Sequence, residues 1–200
     1  MSHSERAGPF SALERWAGRP IGWWLVAGWA MAEALVFPIV PDVLLCLLVL
    51  AAPRRVVVLF LAVVVGALAG SYVLYAIAVA RPDVATAMVL AVPGVRPEML
   101  AEAVALMATG DPTAMANFGP GTPLKVDTVA WAMGSGGPGG LAIGVVVNRL
   151  SRVGPVVLVA AAIGWLAPNA LRRWQRPVIG GYAALWLVFY AWYLGVGPAE

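Results

Sequence analysis

The chain has 200 residues, 62% hydrophobic and only 12% charged, with a formal net charge of +3. Soluble domains carry about 25% charged residues, so this balance, with a mean hydropathy of +0.86, argues against a soluble domain and for a multi-pass α-helical membrane protein. The basic residues come as short scattered clusters, which read as topology signals and lipid headgroup contacts and not as a nucleic-acid surface.

Nine Trp and five Tyr suit the two membrane–water interfaces. The single Cys46 has no partner for an internal disulfide and reads as a small apolar core residue. The single histidine, His3, sits in a polar terminus, which argues against a histidine-based metal or triad site. The first apolar run leads into an acidic, proline-containing stretch and not into a small-residue cleavage site, so no cleavable signal is expected.

Residues 1–20 form a polar, basic segment with Arg6, Arg15 and Arg19 beside Glu5 and Glu14. Phe10, Leu13 and Trp16 at helical spacing predict a short surface helix over 10–17, the alternative being a frayed terminus. Residues 21–198 read as one membrane domain. Its organising stretch is Ala30 to Leu50, apolar almost throughout but carrying Glu33 and Asp42 on either side of Pro38-Ile-Val-Pro41. A carboxylate in hydrocarbon is expensive and marks a functional site by default. Two prolines three apart break a helix, and broken backbone at membrane depth needs protein or water around it. The arms 21–37 and 42–52 would be about 25 Å and about 16 Å long as helices, too short to cross about 30 Å of hydrocarbon. A re-entrant hairpin over 21–52 is therefore expected, with Arg15, Arg19, Arg54 and Arg55 on one side, the cytoplasmic side by the positive-inside rule.

Residues 56–80 contain no charge and predict a transmembrane helix. Gly66 and Gly70 make a GxxxG pair, a smooth face for ordinary helix packing or for a hairpin to nest against. Arg81-Pro82-Asp83 ends it; residues 84–92 are apolar but too short to span, and Pro93-Gly94 is a turn signal. Residues 97–109 predict an amphipathic helix with Leu100, Val104 and Met107 on one face and Glu98 and Glu102 on another. Residues 112–133 repeat the plan of the first broken segment. A short arm meets a Pro/Gly-rich break (Gly119, Pro120, Gly121, Pro123), then Lys125 and Asp127, then an apolar arm 128–133. Paired broken helices in two halves point to a transporter's midplane site; the alternative is a polar loop with a proline turn.

Residues 134–140, GSGGPGG, read as a flexible turn. A transmembrane helix over 141–167 turns Arg149 and Arg152 inward on one face; a helix beginning near 153 would leave them to snorkel. Arg172, Arg173 and Arg176 form a cytoplasmic cluster, and 177–196 reads as a last span with an aromatic C-terminal half. The fold class expected is thus an all-α polytopic membrane protein. Two inverted re-entrant hairpins pack among about three transmembrane helices (56–80, 141–167, 177–196) plus amphipathic helices, with the N-terminus inside.

The candidate substrate or ion site is Glu33, Asp42, Lys125, Asp127, Arg149 and Arg152, with Pro38, Pro41 and Pro123 as helix breaks. Three acids and three bases in hydrocarbon make sense if they pair across a shared polar cavity. A carboxylate held between burial and an opposite charge can exchange a proton near neutral pH. Lys and Arg can hold a phosphate, Arg in bidentate fashion. No nucleophile–base pair, metal-ligand cluster or phosphate-cradling loop is evident, so no enzyme activity, metal or cofactor is expected.

Glu33, the run Pro38 to Asp42 with its following leucines, Gly66xxxGly70 before Tyr72, and Phe118 with Thr122-Pro123-Leu124-Lys125 together resemble the DedA family. These are the VTT-domain, or SNARE-associated, membrane proteins, and the likeness is strongest to the short YqaA-like branch. It covers about Glu33 to Arg152. The resemblance implies inverted re-entrant hairpins and transport of lipid, by flippase or scramblase action on phospholipid or phosphorylated polyprenyl carrier, across the bacterial inner membrane. Coupling to H+ or Na+ and a homo-oligomeric state are compatible with it. Glu33 and Asp42 then match the first-hairpin acids, Lys125 the basic residue after the second-hairpin proline, and Arg149 and Arg152 the arginines of the following helix. The chain departs from the family in having Gly119-Pro120-Gly121 where Gly-Arg follows the Phe, and Asp42 where Glu is expected. The rival readings are an ion-coupled transporter or channel for a small solute, a membrane enzyme acting on lipid phosphates, and a non-catalytic membrane-integrity or assembly factor.

Overall fold

The structure, a computed structural model, describes residues 8–116, 122–134 and 136–195. Among them every regular element is helical. Helix α1 (Pro9–Ala17) follows Gly8 with proline in its first turn and ends at Gly18. It buries Phe10 and Ala17, while Trp16 stays half exposed. At 3.6 residues per turn Ala17 returns to within about 20° of Phe10 and Trp16 swings about 120° away, so the inward face is Phe10, Leu13 and Ala17, not the expected Phe10, Leu13 and Trp16.

Helix α2 (Pro20–Leu35) stops short of Phe37, whose helical backbone is disfavoured by Pro38. Helix α3 (Asp42–Ala51) starts directly after Pro41 with Asp42 in its first turn, where a carboxylate suits the helix dipole. A 3-10 turn (Pro53–Arg55) leads into α4 (Val56–Ala80). The apolar run after Arg81 is helical, α5 (Pro82–Leu90), and the amphipathic helix is α6 (Pro97–Met107). Helix α6 buries Leu100, Ala103 and Met107 and exposes Glu98 and Glu102.

The second broken segment differs from its expected plan. Its first arm is only a 3-10 turn (Pro112–Met115), and its second, α7 (Leu124–Met133), begins early enough to take Lys125 and Asp127 into its first turn. Phe118, Gly119, Pro120 and Gly121 lie outside the described residues. Helix α8 (Pro138–Leu166) is one 29-residue helix despite Pro155 in its interior. It begins three residues before the expected 141 because Pro138 is well placed at a helix start, where its missing N–H would be unpaired anyway. The glycine-rich connection before it is pinned: Tyr75 Oη donates to Gly136 O at 2.7 Å, and Trp131 Nε1 to Gly137 O at 3.0 Å. Helices α9 (Pro168–Arg173) and α10 (Gln175–Gly195) complete the described chain.

Among the described residues two helices are long and apolar enough to cross a membrane: the 28 residues Pro53–Ala80, with mean hydropathy 2.6, and Pro138–Leu166, with 1.5. They pack on each other and form the frame. The arms of the broken segments are shared between them crosswise. Helix α2 lies along α4 and α3 along α8; the 112–115 turn lies on α8 and α7 on α4.

The α2–α4 contact is the most extensive among the described residues and depends on the glycine pair. A Cβ on Gly66 would run into the Ala27 carbonyl, and one on Gly70 would meet the Ala34 side chain at 2.9 Å. The smooth face seen in the sequence therefore receives the first arm of the first broken segment.

Two apolar cores result. One gathers Leu74 of α4, Val89 of α5, Met107 of α6, Val129 of α7 and Leu141 and Val145 of α8. The other gathers Val26 of α2, Leu45 of α3, Leu59 and Val63 of α4 and Val153 and Val157 of α8. Cys46 is buried in the second. Along α8 the boundary falls between Val145 and Val153, the stretch that holds Asn148, Arg149 and Arg152.

Candidate functional site

The buried polar side chains collect at that boundary. Glu33 projects from the last turn of α2, and its Oε2 accepts from Arg149 Nη2 in a buried ion pair, with the side chains 7% and 5% exposed. Arg149 stands about 17 Å from the start of α8 and turns to Glu33 inside the molecule. The reading of α8 as one helix with Arg149 turned inward therefore holds, and Arg149 is 4% exposed.

The first break leaves backbone groups outside any helix, and side chains from the neighbouring elements reach them and the start of α3. Lys125 Nζ, from α7, donates to Phe37 O at 2.8 Å. Trp29 Nε1, one turn up α2, donates to Ile39 O at 2.9 Å. Val40 N–H donates to Tyr190 Oη of α10 at 2.9 Å, and Tyr182 Oη donates to Asp42 O at 3.1 Å.

The second broken segment is held in the same manner from α8. Asn148 Nδ2 donates to Met115 O at 2.9 Å, and Arg152 Nη1 to Thr122 O at 3.0 Å. Within five residues α8 thus reaches the entrance of one break, the exit of the same break and, through Arg149, the arm of the other.

Of the six site residues read from the sequence, five share this neighbourhood. Glu33 and Arg149 touch directly. Lys125, 2% exposed, lies within electrostatic reach of both. Asp42 lies within reach of Arg149, Glu33 and Arg152. Asp127 is buried, but two positions along α7 from Lys125 it is turned about 200° away. Pro38 and Pro41 bound the non-helical stretch, and Pro123 is the residue before α7. Two buried atoms of the set, Asp42 Oδ1 and Arg149 Nε, have no hydrogen-bond partner among the described residues.

Sequence reading missed four contributors: Asn148, Trp29, Tyr182 and Tyr190. Asn148 was readable as a polar residue one step before Arg149 in an apolar run. The tyrosines were read only as interface aromatics, because nothing in α10 alone says that their hydroxyls reach another segment.

Chemically, the cluster offers two acids, a lysine and two arginines packed between two apolar cores, with spare donor and acceptor capacity. It has the elements needed to hold an oxyanion and to exchange one ion pair for another. No group of three His, Cys, Asp or Glu side chains is arranged for a metal among the described residues. No protein family matches the chain, and no curated protein or solved structure matches it.

Proposed function

We propose that the chain is a multi-pass membrane protein that moves a phosphate-bearing lipid, polyprenyl phosphate or phospholipid, across a bacterial inner membrane, and that it is not an enzyme. The observation that carries the reading is the convergence of buried Glu33, Lys125 and Arg149 with half-buried Asp42 and Arg152 where two proline-broken segments meet. Buried ionisable residues of both signs, beside irregular backbone, suit a pathway for a charged group through hydrocarbon.

Two further features support it. Large apolar side chains stand exposed along the outer faces of all three long helices, including Val65 of α4, Leu158 and Val159 of α8 and Leu187 of α10, a surface that lipid would cover. The crosswise sharing of arms between α4 and α8 is the arrangement expected of two inverted re-entrant hairpins, with α10 as a third span. The resemblance to the DedA family at Glu33, Pro38 to Asp42, Gly66 and Gly70, and Lys125 points the same way. In this reading the lipid's phosphate displaces Arg149 from Glu33 and Lys125 from Phe37 O in passing, and H+ or Na+ compensates the freed carboxylates.

The test is reconstitution into vesicles with headgroup-labelled lipids and dithionite quenching. Wild-type protein should accelerate exchange between leaflets, and Glu33→Gln and Arg149→Ala should abolish it. Wild-type protein that moves no lipid overturns the proposal. A second reading, a non-transporting membrane-integrity factor, is favoured by one observation: Lys125 and Arg152 already hold backbone carbonyls. It would require the variants to fail through loss of fold.

A further inference from the structure

A second basic site lies apart from the buried cluster, at the end of the frame where α3 stops and α8 ends. There a cleft of about 530 Å³ is lined by Phe10 and Glu14 of α1, the 50–55 stretch, Trp165 of α8, Leu171 and Arg172. Its apolar side is built from Phe10, Ala52 and Leu171, all buried. The floor is tight because α8 presents Gly164 there: a Cβ on it would stand 2.9 Å from Leu50 O and 3.2 Å from Pro53. The rim is cationic. Arg54 lies 5.8 Å from the centre of the exposed Trp165 ring, Arg55 follows in the same 3-10 turn, and Arg172 Nη2 meets Glu14 Oε2 at a loose 3.4 Å with both side chains mostly in the open. An exposed pair of that kind contributes little by itself, so Arg172 is readily recruited by a better partner.

We infer that this cleft binds the headgroup of an anionic phospholipid. The phosphate would sit among Arg54, Arg55 and Arg172 and the glycerol and first acyl carbons would lie on Phe10 and Leu171. The volume is of the size that small-ligand sites have, roughly 300–1,000 Å³. Three arginines against one glutamate leave a positive balance, and guanidinium groups suit phosphate. Trp165 and the amphipathic α1 lie where an interfacial ring and an interfacial helix belong. An apolar wall beside a cationic rim matches an amphiphile and not a free anion. The site is distinct from Glu33 and Arg149, and its occupancy does not depend on transport.

The test uses the full chain in phosphatidylcholine nanodiscs, titrated calorimetrically with dihexanoyl phosphatidylglycerol, dihexanoyl phosphatidylcholine and inorganic phosphate. Phosphatidylglycerol should bind saturably, and the Arg54→Gln/Arg172→Gln variant should bind it about tenfold to thirtyfold more weakly, from the attraction each surface arginine supplies. The control Arg15→Gln/Arg173→Gln, which removes the same charge from outside the cleft lining, should bind as wild type. All four arginines are solvent-facing, and unchanged circular dichroism will establish that the variants fold. Equal binding of phosphatidylcholine or of phosphate alone, equal loss in the control, or no saturable binding would each overturn the inference.

Discussion

Lys125 and Phe37 are 88 residues apart in the chain, yet the ammonium group of one donates to the carbonyl oxygen of the other at 2.8 Å. The two broken segments are thereby tied at the point where the first loses its helical hydrogen bonds. Lys125→Met removes the donor and leaves the carbonyl poorly satisfied. Stability should fall by about 1–3 kcal/mol, read from thermal unfolding in detergent, and hydrogen exchange should quicken across residues 37–42 before it quickens in α4. Uniform quickening in both would contradict the local role.

The Glu33–Arg149 pair should behave as a buried unit. Removing one partner leaves an uncompensated charge, so Glu33→Gln or Arg149→Met alone should cost about 3–5 kcal/mol, whereas the double change Glu33→Leu/Arg149→Met should cost far less than the sum. Additive losses in a double-mutant cycle would show that the two do not interact.

Two glycines on adjacent helices should respond with opposite signs. Gly28 of α2 has open space where a Cβ would stand, so Gly28→Ala should stabilise by about 0.5–1 kcal/mol through helix propensity. Gly66 of α4 faces the Ala27 carbonyl, and Gly66→Ala should destabilise by about 1–3 kcal/mol as α2 is pushed off. Thermal melts of the two variants side by side decide it.

Tyr190→Phe should cost more than Tyr182→Phe. The first removes the hydroxyl that accepts from the Val40 N–H, a group outside any helix; the second removes one donor from the Asp42 carbonyl, which can still accept within α3. An orphaned donor costs about 1–3 kcal/mol. The reverse order in unfolding midpoints would assign the clamp to the wrong hydroxyl.

The sole cysteine is buried, so the wild-type background for thiol labelling in intact vesicles should be low. Cysteines placed at Arg55 and Arg172, which line one cleft, should react with an impermeant maleimide from the same side. One placed at Arg81, beyond the far end of α4, should react from the other. Arg55 and Arg81 labelled from one side would mean that α4 does not span.

Local pattern carried much of this fold. The run 56–80 became α4 with those same ends because uninterrupted apolar sequence leaves a helix no reason to stop until Arg81-Pro82. The first break was legible from Pro38 and Pro41, and the inward turn of Arg149 from its place in an otherwise apolar helix. Less legible were features set by distant partners. The stretch before the second break settled as a 3-10 turn against α8 instead of a helical arm, and Tyr182 and Tyr190 gained their roles only when α10 came to lie beside residues 40–42. The proximity of Lys125 to Glu33 followed from the crossed packing of arms, a long-range relation that no window of sequence contains.

Chain order gives the polar stretch of α8 a consequence for biogenesis. Arg149 is made 116 residues after Glu33, and the donors for Met115 O and Thr122 O are made with it. A nascent chain ending before residue 148 would lack the partners of Glu33, Met115 O and Thr122 O, although Lys125 and Trp29 could already answer Phe37 O and Ile39 O. The second break then closes with α8, and the first only when Tyr190 and Tyr182 of α10 follow. A stop codon placed just upstream of Asn148 should send the whole product to quality-control proteolysis, where one placed after α8 should not.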